Sequence, residues 1–322
     1  MTVGFIPTPE KGNQMVILQH ALSQQFRAAI FLLFLLTISA EALPAQSTNG
    51  AKKLEQMASR LQNLQKPIGP VRSGDWLESH KEPGQSFRKY IRSRPVRLSK
   101  KRNRLYVLPL GEFDETQSKI VDLSSEFLGI YFGCKVKQLA TLSLDDAIPK
   151  SARRVHPSWG VRQIKSTFVL SDVLPPKLPD DAVALIALTT SDLYPDDDWN
   201  FVFGQASLKN RVGVWSLFRN GDPETEFIQC LRRTLHTATH ETGHMFSIQH
   251  CTAYSCNMCG SNSQQESDRR PLHLCQECMP KIWWSTKVDP EKRFRELLEF
   301  CQQHKLEKET EYYQAALKAI RN

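Results

Sequence analysis

Residues 240–251 read His-Glu-Thr-Gly-His-Met-Phe-Ser-Ile-Gln-His-Cys, and where the histidines fall in this stretch decides the fold. His240 and His244 are four residues apart. On a helix that is a little over one turn, so both imidazoles project from one face and can bind one metal ion. Glu241 is turned about 100° around the helix from His240, beside the metal rather than on it. From there it can take a proton from water at the metal. The residues upstream have helical spacing, with Phe227, Leu231 and Leu235 recurring at i, i+4 and leading into His240. His236 continues that spacing one turn too early and is expected to pack or to support a ligand.

His250 lies six residues past His244. A helix continued that far would point it well away from the other two imidazoles. It reaches the same ion only if the helix breaks near Ser247 and the chain turns back. The extended zinc-peptidase signature has glycine at that turn, because glycine adopts the left-handed conformation freely. Holding Ser247 there costs about 1–2 kcal/mol.

Five of the eight cysteines crowd into residues 251–278, while Cys134, Cys230 and Cys301 stand alone. Cys251, Cys256, Cys275 and Cys278 have spacings that suit a closed tetrahedral zinc, hence a structural one. Spacing alone leaves a rival, since Cys256 and Cys259 form a knuckle that pairs well with Cys275 and Cys278. The three single cysteines read as buried thiols.

The 322 residues suffice for one large domain or two small ones, and the net charge is +8. Residues 88–104 hold nine Lys or Arg and no acid. A run of this kind is a solvated connector unless it meets an anionic surface. No aromatic RNA motif or helix-turn-helix pattern accompanies it, so no nucleic-acid partner is expected. Residues 28–40 are mostly apolar and end on Ala40-Glu41-Ala42, the layout of a secretory signal peptide. A start at Met15 would give the leader a conventional length. The expectation is export with cleavage near Ala42 or Ala45, to a secreted or periplasmic location. A retained membrane anchor or a cytoplasmic chain is the alternative.

Past this leader (1–42), residues 43–102 read as a helical and linker region, with helical spacing over 51–65. The ordered core is expected to start near Asn103. Strands are predicted at 105–110, 136–144, 182–188, 200–206 and 213–218, and helices at 116–132, 164–174 and from 223–224 through the metal motif. Two further helices are predicted at 290–304 and 306–320. The continuous apolar stretch at 182–188 suggests a strand buried on both faces. Strands alternating with helices ahead of a metal-bearing helix imply an α/β (α+β) fold, a mixed twisted sheet packed on that helix. Residues 200–206 are the candidate edge strand along which an extended substrate would pair, or else a core strand.

The strings HETGHMFSIQHC, SCNMCGSN and ESDRRPLHLCQEC together resemble the archaemetzincins, metzincin-related zinc peptidases with a zincin-like fold, and resemble their type-2 members most. SDLYPDDDWNFVFGQAS and DWLESH upstream are similar to that family too, so the likeness runs from about residue 75 to 281. The resemblance implies a catalytic domain over 103–285 followed by C-terminal helices over 286–322. It implies that His240, His244 and His250 bind the catalytic zinc and that Glu241 is the general base. It also implies that Cys251, Cys256, Cys275 and Cys278 hold a second zinc, with Cys259 a non-ligand. Met258 would then be the methionine of the turn beneath the catalytic metal. Two departures are visible: Ser247 stands where the family has glycine, and its members are generally not exported.

The function so implied is zinc-dependent hydrolysis of a peptide or protein substrate, with an exopeptidase of narrow specificity as one form of it. The competing reading is a non-catalytic, zinc-stabilised protein-binding module. A membrane partner enters only if the N-terminal apolar segment is retained. No side chain stands out in the sequence as an oxyanion stabiliser; Tyr254 is singled out only by its closeness to the metal turn.

Overall fold

The apolar run Ala-Val-Ala-Leu-Ile-Ala-Leu-Thr has no alternation, and all eight residues are buried in a single strand, Ala182–Thr189. In the computed structural model, which describes residues 2–4 and 45–322, this strand lies inside a mixed sheet. In chain order the strands are β1 (Thr2–Gly4), β2 (Arg104–Leu110), β3 (Lys135–Gln138), β4 (Arg153–Val155) and β5 (Arg162–Lys165). They continue with β6 (Ala182–Thr189), β7 (Asp192–Tyr194), β8 (Val202–Ser207) and β9 (Val212–Ser216). The sheet order is β3-β2-β6-β9-β8-β7-β5-β4, with β1 added to β8. Strands β3, β2, β6 and β9 are parallel, and β8 runs antiparallel to β9.

Because side chains alternate across a strand, β2 sends Leu105 and Val107 to one face and Tyr106 and Leu108 to the other. The first face is covered by the helix Glu115–Phe132 and the metal helix Phe227–Met245; the C-terminal helix Pro290–Gln303 packs on Glu115–Phe132, with Glu307–Arg321 against it. The second is closed by a smaller cluster that includes Ile148, Leu170 and Leu174. Burial of both faces accounts for the uniform apolar character of β6.

The core reaches further toward the N-terminus than Asn103. Leu61, Phe87, Tyr90 and Ile91 are buried in the same cluster as the metal helix. The helix predicted at 51–65 runs Ala45–Ser59, with a separate 3-10 turn at Gln62–Leu64. The predicted strand 136–144 is corrected: β3 ends at Gln138, and Ser143 caps a one-turn helix, Leu144–Ala147, by accepting from the Asp145 amide. The predicted helix 164–174 is split into β5, a helical turn at Ser166–Phe168 and a π turn at Val169–Val173. Pairing overrides local propensity there, because β5 is held between β4 and β7. The metal helix begins at Phe227 instead of 223–224, because the Asp222 carboxylate accepts from the Glu224 amide and the Thr225 hydroxyl and holds a turn. The apolar leader at 28–42 lies outside the described residues. Among those described, no helix is long and apolar enough to cross a membrane.

Candidate active site

The metal helix ends where the sequence requires it to. Ser247 has φ 67°, the left-handed conformation. The Ser247 amide donates to the His244 carbonyl at 2.7 Å and the Ile248 amide to the Gly243 carbonyl at 3.1 Å. This pair of bonds is the Schellman closure of a helix, with serine in the place glycine usually takes. It reverses the chain and returns His250 toward His240 and His244. Their metal-ligating nitrogens lie within 4.8 Å of one another, and all three rings are buried.

Hydrogen bonding fixes which ring nitrogen each histidine presents. His240 Nδ1 lies 2.8 Å from the Asn257 carbonyl, and His244 Nδ1 lies 2.6 Å from the Ile248 carbonyl. A carbonyl only accepts, so each Nδ1 carries the proton and each Nε2 presents a lone pair. Those two Nε2 atoms are 3.0 Å apart. Two lone pairs so placed repel unless a cation lies between them. Ligands of a tetrahedral zinc would be separated by about 3.3 Å. His250 Nδ1 faces the Glu82 carboxylate at 2.9 and 3.0 Å, and its Nε2 is buried with no hydrogen-bond partner. The donor set, three neutral imidazoles aimed inward, therefore fits zinc with one position left open. Burial favours the neutral form of two of them: it pushes His240 down to about 3 and His244 well below its ordinary value.

Glu241 is wholly buried and neither carboxylate oxygen has a hydrogen-bond partner. Desolvation pushes its carboxyl up to about 8. It shares a cavity with His240, walled by Phe203 of β8, by His236 and Thr237 of the metal helix, and by Ser261 and Gln264. His236, expected to pack or support, does line this cavity, stacked on His240 at 6.4 Å with Nδ1 3.3 Å from the Ser267 hydroxyl. Met258 is buried against the helix at Gly243, where a Cβ would come within 2.6 Å of its sulfur. Gly243 is therefore what lets the methionine approach beneath the histidines.

The second cluster is built by Cys251, Cys256, Cys275 and Cys278, all buried and with sulfurs within 4.8 Å of one another. Cys251 and Cys275 are 3.6 Å apart, close to the roughly 3.8 Å of a tetrahedral zinc-thiolate edge. Of the two spacings left open by the sequence, the geometry favours the one with Cys251, since Cys259 directs its sulfur to the Tyr254 carbonyl at 3.2 Å. A zinc tetrathiolate would carry a charge of about −2. The buried Lys281 places Nζ 3.7 Å from Cys278 Sγ and also donates to the Gln85 carbonyl. The Tyr254 hydroxyl is bonded to Gln276 beside this cluster, so the structure gives no support to an oxyanion role.

Sequence reasoning missed the segment 67–96, which crosses both clusters. Gln85 donates from Nε2 to the Ser247 carbonyl and accepts at Oε1 from the Gln249 amide, both at 3.2 Å. The Val96 amide donates to Ser247 Oγ at 3.1 Å, and Tyr90 donates its hydroxyl to the Phe246 carbonyl at 2.7 Å. The Phe87 amide donates to Glu277, between the last two cysteines. No local periodicity marks these contacts; only the string Asp75-Trp76-Leu77-Glu78-Ser79-His80 hinted that the segment belongs to the site.

A sequence model described as Peptidase family M54 matches residues 176–283, a span that contains every residue of both clusters. With the site geometry, this makes the chain a zinc metallopeptidase. Its relatives narrow the class. It is 31% identical to archaemetzincin-2 of Mus musculus over 277 residues, 74% of this chain and 75% of that one. It is likewise 31% identical to archaemetzincin-2 of Homo sapiens over 268 residues, 72% and 73% of the two chains. The chain belongs to the archaemetzincin family. Among solved structures, archaemetzincin of Archaeoglobus fulgidus aligns at a TM-score of 0.44 and 29% identity, over 55% of this chain and 99% of that one.

Proposed function

We propose that this chain hydrolyses peptide bonds with His240, His244 and His250 holding the catalytic zinc and Glu241 as general base. Cys251, Cys256, Cys275 and Cys278 hold a second, structural zinc in the same reading. The observation that carries it is Glu241: a fully buried, unpartnered carboxyl opening on the same cavity as a histidine whose lone pair faces inward. Zinc held by three neutral imidazoles supplies a Lewis acid and brings the pKa of water toward about 7.

The protein's own groups do the rest. The carbonyls of Asn257 and Ile248 and the carboxylate of Glu82 hold the three rings in one tautomer and orientation. Glu241 takes the proton of the attacking water and returns it to the leaving amine. Burial raises the proton affinity of this carboxyl, which suits a group that must take up a proton and then give it back. Phe203 brings β8 to the wall of the cavity. β8 pairs with β9 along one side, while its other side takes the short β1 in antiparallel register. β7 also pairs with that side at Val202, so β8 is the core strand of the two readings of 200–206, and an extended substrate would pair its backbone there only by replacing β1.

The test is a peptide-library digest by wild type and Glu241→Gln, read by mass spectrometry. The variant should keep its metal and lose cleavage by at least about 100-fold. An unchanged rate overturns the assignment. The fragment ends also report whether cleavage is confined to chain termini, as a narrow exopeptidase would show.

A further inference from the structure

We propose that Glu82 is a positioning residue of the zinc site, and that the 67–96 segment carrying it is therefore part of the metal-binding apparatus. This rests on reading His240, His244 and His250 as ligands. The first two rings are fixed by main-chain carbonyls from the metal helix's own return loop, Ile248 and Asn257. The ring of His250 is fixed by a charged side chain 168 residues upstream in the sequence. Both Glu82 oxygens lie within 3.0 Å of His250 Nδ1. A carboxylate can only accept, so the ring proton sits on Nδ1, and the buried Nε2 is left with its lone pair toward the other two imidazoles. Histidine ligands held by a carboxylate in this way bind metal about 10–100-fold more tightly than when the partner is removed.

The rest of the segment immobilises this contact. Trp76 presents its ring edge-on to His250, with centroids 5.1 Å apart, and stacks on His80 at 3.7 Å. The Trp76 amide donates to the buried Glu266 at 3.0 Å, and the Ile68 amide to the Ala253 carbonyl at 3.2 Å. Gln85, three residues past Glu82, is tied to the chain on either side of Ile248. His250 thus sits against Glu82 and Trp76, two groups that lie before the span matched by the peptidase-family model.

The experiment uses the full chain loaded with Co2+, whose thiolate charge-transfer bands report the cysteine site and whose weaker visible bands report the histidine site. A chelator titration then gives the midpoint for loss of each. Glu82→Ala should release the histidine-site ion at about 10–100-fold lower chelator, with the thiolate bands unmoved. Glu82→Gln, which can still accept from Nδ1 without a charge, should fall between the variant and wild type. Equal midpoints for wild type and Glu82→Ala overturn the proposal. So does a parallel loss of both sites accompanied by a lower melting temperature of the metal-free variant, which marks a general structural role. If Glu82→Ala fails to fold, Glu82→Gln decides alone: a wild-type midpoint overturns the proposal and a lowered one supports it. If wild type shows no ion whose bands vanish in His250→Ala, the ligand assignment itself has failed, and that result is distinct from either outcome for Glu82.

Discussion

Ser247 is the residue on which the geometry turns. It occupies the left-handed region at φ 67°, where a side chain costs about 1–2 kcal/mol. Its hydroxyl accepts from Val96 and its carbonyl from Gln85. The hydroxyl bond contributes about 0.5–1.5 kcal/mol and so offsets much of the backbone cost, while the carbonyl bond would be made by any residue there. Glycine would remove the strain and the hydroxyl bond at once. Ser247→Gly should therefore change stability by less than about 1 kcal/mol, whereas Ser247→Ala keeps the strain and leaves the Val96 amide without its acceptor. The alanine variant should lose about 1–2 kcal/mol in urea unfolding. A Ser247→Ala variant as stable as wild type would remove the hydroxyl from the explanation.

At the scale of elements, the metal helix must carry ligands on one side and meet the methionine turn closely on another. Gly243 resolves the crowding, since a Cβ there would lie 2.6 Å from Met258 Sδ and 3.1 Å from its methyl. Gly243→Ala should then cost about 1–3 kcal/mol through overpacking, despite alanine's better helix propensity. A variant more stable than wild type by thermal unfolding would mean that Met258 yields easily and does not brace the helix. The helix itself was legible in the sequence, because His240 and His244 and the apolar positions before them repeat at one spacing. Its start lies three or four residues later than the spacing predicts, because the turn at Asp222 is held by side-chain bonds that periodicity does not register.

For the whole molecule, burial of imidazoles ties stability to pH. His236, His240, His244 and His273 are all pushed below the ordinary 6.5 by desolvation, His240 and His273 to about 3. Below pH 6.5 the unfolded chain binds protons that the folded chain refuses, so folding weakens as pH falls from about 6.5 toward about 3. Glu241 has the opposite sign: with its carboxyl at about 8, the folded chain holds an extra proton between about 4.5 and 8. Four imidazoles outweigh one carboxyl between 4.5 and 6.5. The metal-stripped protein should therefore have a lower urea midpoint at pH 5 than at pH 6.5. A flat or rising midpoint toward acid would contradict burial as the cause.

By itself the sequence determined the spacing-borne parts: a helix with two imidazoles on one face, a turn at Ser247, a cysteine cluster at knuckle distances and an apolar strand sheathed on both sides. Each of these is encoded by neighbours in the chain, through helical and strand periods and the conformational range of single residues. Only the tertiary structure gathers Cys251, and not Cys259, with Cys256, Cys275 and Cys278, and only it revealed Glu82, Gln85 and Trp76 around His250. Those contacts join residues far apart in sequence, and a carboxylate's partner is set by where the chain brings it after packing. Nothing in the local order of residues 67–96 specifies that position.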